Sequence, residues 1–210
     1  PRLAFPKLYA IMDAVWLNIP ERSFAEMLAE AGVQLFQYRS KHSTSRELLA
    51  RSLALNQLLK PRGLRLIVND RPDVAALAGA QGVHVGQEDL EVEQARAICG
   101  RECWVGISTH NIEQLVAADR TSADYIAVGP IFPTETKLQA APVVGLEFIR
   151  RARQHTRKPL VAIGGITVER AAEVLRAGAD SVAVARDLAT ARDPAGRARD
   201  YLRLADEITS

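Results

Sequence analysis

Short apolar runs and longer amphipathic stretches alternate along the chain from end to end. Leu8–Met12, Val33–Tyr38, Leu64–Val68, Gly82–Val85, Trp104–Ile107, Tyr125–Val128, Leu160–Ile163 and Ser181–Ala185 are short, mostly apolar and rich in Val, Ile or Leu. Runs of this kind predict strands covered on both faces. Between them, apolar residues recur at helical spacing: Phe24, Met27, Leu28 and Ala31, then Leu48, Leu49, Leu53 and Leu58. Ile112–Ala118, Leu146–Ala152, Val168–Leu175 and Arg197–Ile208 continue the helical pattern. Asn111 before Ile112, Thr167 ahead of Glu169, and Pro72 just after Asp70 read as helix starts. Ala31-Gly32 and Ala177-Gly178 read as helix ends closed by a left-handed glycine.

Eight strand–helix units in 210 residues average about 26 residues each, close to the minimum for a βαβ step. No composition shift or Ser/Gly/Pro-rich linker divides them. The economical expectation is a single α/β domain over residues 1–210, a closed (β/α)8 (TIM) barrel. An open doubly wound sheet is the alternative. It would carry a Gly-rich phosphate loop after its first strand, and Leu8–Trp16 has none.

Composition narrows the class. The chain is 48% hydrophobic and 25% charged, enough to bury a sizeable core. A net charge of +2 gives no strongly basic face for nucleic acid. No apolar run approaches the roughly 18 residues of a membrane span. The first seven residues lack the apolar core and cleavage site of a secretory signal. Cys99 and Cys103 are not spaced as CxxC and have no histidine cluster beside them, so reduced thiols are expected. These features together point to the cytoplasm and to small-molecule partners; a homo-oligomer is compatible with them.

In such barrels the chemistry collects at the carboxyl ends of the strands. Strand 2 ends in Gln37-Tyr-Arg-Ser-Lys41, where alternation points Gln37, Arg39 and Lys41 the same way. An amide, a guanidinium fork and an ammonium facing one space suit a polyanion; a solvated basic strand end is the alternative. Strand 3 ends in Asn69-Asp-Arg-Pro72 and strand 4 in Gly86-Gln-Glu-Asp89. Asp70 and Asp89 facing basic residues look like a hard-cation site, for which Mg2+ is favoured over zinc. Asp70 could equally cap the helix that begins at Pro72, and Asp89 could close a turn. Gln87 and Glu88 are weaker outer candidates, and His84 inside its strand reads as a packed residue. Ser108, in Gly106-Ile-Ser-Thr-His110, could cap a helix or bond a ligand, and His110 could act as an acid or base. After strand 6, Gly129-Pro-Ile-Phe-Pro-Thr-Glu-Thr-Lys137 forms a stiff polar turn offering the hydroxyls of Thr134 and Thr136 and the Lys137 cation. Gly164-Gly165 after strand 7 would either make a phosphate nest or serve turn geometry alone.

These segments, with Ala162-Ile-Gly-Gly-Ile166, resemble in order and register the thiamine-phosphate synthase family over essentially the whole chain. The resemblance implies a (β/α)8 barrel that joins a pyrimidine methyl diphosphate to a thiazole ethyl phosphate, carboxylated or not, releasing diphosphate. It implies that Gln37, Tyr38, Arg39, Ser40, Lys41, Asn69, Ser108 and Lys137 hold the pyrimidine diphosphate. Arg39, Lys41, Ser108 and Lys137 would carry the catalysis. Asp70 and Asp89 would hold Mg2+ on the diphosphate. Thr134, Glu135, Thr136, Gly165 and the Ala185-Arg186 turn would hold the thiazole phosphate. One departure stands out: the family usually has serine where Arg186 stands. The related thiazole tautomerases place a histidine at the position of Pro130, and a phosphate-sensing barrel without catalysis would need no paired carboxylates; both features weigh against those rivals.

Overall fold

The computed structural model describes residues 5–134 and 142–209. Its strands are β1 (Leu8–Asp13), β2 (Leu35–Arg39), β3 (Arg65–Asn69), β4 (Gly82–Val85), β5 (Trp104–Thr109), β6 (Tyr125–Val128), β7 (Leu160–Ala162) and β8 (Ser181–Val184). Each pairs in parallel with the next, and β8 pairs with β1, so the sheet closes into a barrel as the alternation of patterns predicts. Around it lie α1 (Glu21–Glu30), α2 (Ser45–Leu59), α3 (Pro72–Ala78), α4 (Val92–Cys99), α5 (Ile112–Asp119), α6 (Gly145–His155), α7 (Val168–Arg176), the short α8 (Arg186–Ala189) and α9 (Pro194–Thr209). Among the described residues no helix is long and apolar enough to cross a membrane.

Strand alternation divides the apolar residues into two cores. Outward-facing Ala10, Met12, Phe36, Leu66, Val68, Val83, Val105 and Ile126 pack under the helices. Inward-facing Tyr9, Leu35, Ile67, Tyr125, Ala127, Val161 and Ala183 fill the barrel with Phe5. At the amino end Phe5 stacks on Trp104 with ring centroids 5.5 Å apart, and the Arg65 guanidinium lies 4.0 Å from the Trp104 ring centre.

Several element bounds differ from the sequence expectation for identifiable reasons. Val33 and Leu64 do not enter strands. Gly32 takes a φ of 102°, and Val33 donates its N–H to the Leu28 carbonyl, which closes α1. Gly63 at φ 72° likewise lets Leu64 donate to Leu59. Both are Schellman-type closures that consume the first apolar residue of the following run. On α2 the buried positions are Leu48, Ser52, Leu55, Asn56, Leu58 and Leu59, while Leu53 is 38% exposed. A small buried serine hides the true stripe in a leucine-rich stretch.

Candidate active site

At the carboxyl end of β2, Gln37 and Arg39 both face the barrel interior. Arg39 pairs with Asp13, which stands opposite it in register at the end of β1 and is 1% exposed. Asp13 also accepts the Val15 N–H at 3.2 Å. A buried carboxylate that fixes a guanidinium holds it in one orientation. The sequence reading missed Asp13; its signal was an acid closing an apolar strand. Tyr38 does not join this group. Alternation turns it outward, where its hydroxyl donates to Glu21 at 3.2 Å. Ser40 bonds Ser43 at 2.7 Å.

The loops after β2, β3 and β4 bring Lys41, Asp70 and Asp89 together. Lys41 pairs with the Asp70 carboxylate. Asp70 does not cap α3, whose N-cap position is Arg71. Its backbone is instead left-handed, with φ 62°, and its N–H is donated to the His84 carbonyl at 2.7 Å. Left-handed backbone is uncommon outside glycine, and Asp and Asn are among the few other residues that adopt it readily. Asp89 accepts the Gly86 N–H at 2.8 Å. Partial burial pushes the Asp89 carboxyl above its usual range, and the adjoining Asp70 carboxylate adds to the push. The Gly86 N–H and Lys41 pull the other way. Among the described residues no three His, Cys, Asp or Glu side chains converge on one point. A pair of carboxylates in mutual repulsion is an oxygen donor set that could hold a hard cation whose other ligands are water and substrate oxygens.

Beneath this rim a chain of hydrogen bonds crosses the barrel. Gln37 Nε2 donates to the Tyr9 hydroxyl at 2.8 Å, and Tyr9 meets the Tyr125 hydroxyl at 2.9 Å. Tyr125 meets His84 Nδ1 at 3.0 Å, and His84 Nε2 meets Ser108 Oγ at 2.8 Å. All five residues are buried. Burial drives both phenols far up, so both keep their protons. Gly106 makes the arrangement possible: a Cβ there would lie 2.0 Å from Tyr125 Cζ. Gln87 supports the same strand end, donating to the Ser108 carbonyl at 2.7 Å. His110, left without a partner by the sequence, donates from Nδ1 to the Gly129 carbonyl at 2.6 Å. Asn69 ends β3 half-buried and opposite His84 in register.

The loop after β6 is stitched to the loop after β7. Ile131 donates to the Ile163 carbonyl at 2.8 Å and Phe132 to Gly164 at 3.1 Å. A Cβ on Gly165 would come within 2.4 Å of the Pro133 carbonyl oxygen, and one on Gly164 within 2.5 Å of Pro130 Cβ. Close packing of two loops therefore already requires both glycines. Arg170 donates to the Gly165 carbonyl at 2.9 Å and lies 4.6 Å from the Phe132 ring centre. Thr134 follows in this loop, half-buried; Glu135, Thr136 and Lys137 lie outside the described residues. Ala185 precedes α8, whose first residue, Arg186, sets its guanidinium 4.9 Å from the ring centre of Trp16 in the loop after β1.

The profile of the family described as thiamine monophosphate synthase matches residues 8–188. A thiamine-phosphate synthase from Koribacter versatilis is 50% identical over 208 residues, covering 96% of this chain and 97% of the relative. One from Chloroflexus aurantiacus is 43% identical over 199 residues, covering 94% and 92%. Among solved structures, a thiamine phosphate pyrophosphorylase from Pyrococcus furiosus superposes with a TM-score of 0.89 at 32% identity, covering 97% of each chain. A 3-hexulose-6-phosphate synthase from Salmonella typhimurium reaches a TM-score of 0.73 at 21% identity, covering 96% and 99%, a likeness of fold alone. The match runs through every strand of the barrel and over nearly the whole length of its relatives, and on it the chain belongs to the thiamine monophosphate synthase family.

Proposed function

We propose that this enzyme is a transferase that joins the pyrimidine and thiazole halves of thiamine phosphate, with Asp70 and Asp89 holding Mg2+ against the pyrimidine diphosphate. The meeting of Lys41, Asp70 and Asp89 at one mouth carries the metal assignment. In the reaction the bond between the pyrimidine methylene and the diphosphate oxygen breaks, and its electron pair leaves with diphosphate. The aminopyrimidine delocalises the resulting cation, and the lone pair of the thiazole nitrogen forms the new C–N bond. No protein nucleophile is required.

The side chains act by position and charge. Arg39, oriented by Asp13, and Lys41 face the charge that grows on the leaving group, with Lys137 and Ser108 as further donors. Gln37, Tyr38, Ser40 and Asn69 complete the expected pyrimidine diphosphate set, Tyr38 through the packing of β2 because its side chain points away. Bound Mg2+ supplies additional neutralisation of the diphosphate oxygens. Thr134, Glu135, Thr136, Gly165, Ala185 and Arg186 hold the thiazole phosphate, which brings the nitrogen within reach of the methylene. Residues 1–210 act as one domain, a reading supported by the pairing of β1 with β8. A cytoplasmic location is supported by two free thiols, of which Cys103 is pushed up by burial and kept unreactive.

The test follows thiamine phosphate and diphosphate formation from the two substrates, with Mg2+ and with chelator. Metal-dependent release of both products in equal amounts is expected. Undiminished turnover in chelator would remove Mg2+ from the assignment, and absence of condensation with Mg2+ would overturn the transferase itself.

A further inference from the structure

The two arginines assigned above to the substrates' anions are held in opposite ways. Arg39 is fixed by the buried Asp13 carboxylate, which orients its fork and at the same time opposes its charge. Arg186 instead sets its guanidinium over the indole of Trp16, 4.9 Å from the ring centre. The ring quadrupole attracts the cation, and the neutral indole leaves its charge in place. A hold of that kind suits a site that must grip a phosphate. β1 and β8 are neighbours in the barrel, so the loops that follow them bring the two side chains together.

Both partners are fixed before they meet. Trp16 closes a tight turn at the end of β1, donating its N–H to the Asp13 carbonyl at 3.0 Å. Its half-buried ring packs against the outer core. Asp13 Oδ1 accepts the Val15 N–H inside the same turn at 3.2 Å, so the residue that orients Arg39 also shapes the turn that carries the indole. Arg186 is anchored at its stem as well. Its carbonyl accepts the Thr190 N–H at 2.9 Å. The next residue, Asp187, is directed onto α9, where it accepts the Tyr201 hydroxyl at 2.7 Å and lies 3.6 Å from Arg197. A long arginine carries rotamer freedom that gripping a ligand takes away. A side chain pinned at its stem and set on an aromatic face has less of it to lose.

We propose that Trp16 is a positioning residue for the thiazole phosphate: its indole face holds the Arg186 guanidinium in place over the mouth, and affinity for the phosphorylated thiazole depends on that face. The inference rests on the reading above that Arg186 holds this phosphate. The serine usual at this position in the family is a hydroxyl on a short stem, placed by the backbone alone. An arginine is placed only where something also holds its head. Trp16 and Arg186 therefore act as a unit, one residue from the loop after β1 and one from the turn after β8.

The experiment measures kcat and the KM of each substrate, with Mg2+ present and the other substrate saturating. Arg186→Ala is expected to raise the KM for the thiazole phosphate about tenfold, the scale of lost hydrogen bonds to a charged group. Trp16→Leu is expected to raise it about threefold to tenfold, the scale of a lost cation–π contact, with kcat and the pyrimidine diphosphate KM held within about twofold. Trp16→Phe keeps a ring face and is expected to stay within about twofold of the parent. Trp16→Met fills the space without a face and stands in if Trp16→Leu does not fold. In an Arg186→Ala background, Trp16→Leu is expected to add less than about twofold, because a residue acting through Arg186 then has nothing to act through. An unchanged thiazole phosphate KM in a folded Trp16→Leu or Trp16→Met enzyme overturns the proposal. A rise shared by both substrates, or one that persists in full without Arg186, also overturns it, since each marks a looser mouth rather than a held guanidinium. If Arg186→Ala leaves that KM unchanged while condensation continues, the phosphate sits elsewhere: the Arg186 assignment and the proposal fall, and the transferase stands. Absence of condensation by the intact enzyme overturns the transferase and the proposal together.

Discussion

Asp70 carries two separable properties, a charge at the mouth and a left-handed backbone. Asparagine tolerates that backbone nearly as well as aspartate does, whereas alanine does not. Asp70→Asn is therefore expected to fold with near-parental stability, and Asp70→Ala to lose about 1 kcal/mol more from the backbone alone. Both are expected to lower Mg2+-dependent turnover about a hundredfold or more, since each removes a carboxylate of the proposed metal pair and the Lys41 partner. Thermal unfolding combined with the product assay checks this; an Asp70→Asn enzyme with parental turnover would remove the metal role. At this scale the sequence showed the residues that carry charge at strand ends. It did not show Asp13 behind Arg39 or Tyr9 behind Gln37, because each matters through a partner on another strand. Tyr9 and Tyr125 lie 116 residues apart and meet only once the barrel has closed.

Among the elements, the pairing of β5 with β6 shows how a strand position can be fixed by what it lacks. Gly106 leaves room for the Tyr125 ring, which lies where any side chain on residue 106 would start. Gly106→Ala is expected to displace Tyr125 and destabilise the fold by about 3 kcal/mol, the upper range for overpacking. Denaturant unfolding measures the effect, and a shift below about 1 kcal/mol would show that the ring can move aside. Strand existence and order were legible in the apolar runs, as were the glycine helix ends. Bounds were not, because Val33 and Leu64 look like strand residues yet spend their N–H groups closing the preceding helix or turn. The four-residue α8 was also invisible, being too short to show a period.

For the molecule as a whole, Asp89 links stability to pH and, as a proposed ligand of Mg2+, to metal. Its carboxyl is raised in the folded protein, so the fold binds more protons than the unfolded chain between the ordinary aspartate value and the raised one. The stabilising contribution is complete below the ordinary value, near pH 3.9, and disappears as pH rises through the raised value. Asp89→Asn keeps an acceptor for the Gly86 N–H and stays neutral. In the absence of metal it is expected to melt above the parent at pH 7.5 and level with it near pH 4. Mg2+ is expected to raise the parental melting temperature more at pH 7.5 than at pH 5, and to leave Asp89→Asn unmoved. Thermal scans at these pH values with and without Mg2+ decide it; an Asp89→Asn protein still stabilised by Mg2+ would place the ion elsewhere. Closure of eight units into one ring was readable from their number and spacing. The repulsion between Asp70 and Asp89 was not, since it depends on how two loops fold over the rim.

The aromatic packing at the amino end also governs traffic. Phe5, Trp104 and Tyr125 block that end from within, and Arg65 lies across Trp104. Among the described residues the amino end is closed by this packing, which leaves the loops that follow the strands as the way in. A molecule resting on the floor between Gln37 and Ser108 lies beneath anything held at the rim by the loops after β6, β7 and β8. Arrival and departure then form a stack rather than a queue: the deeper half is first in and last out, and the condensed product must leave by the way its two halves came.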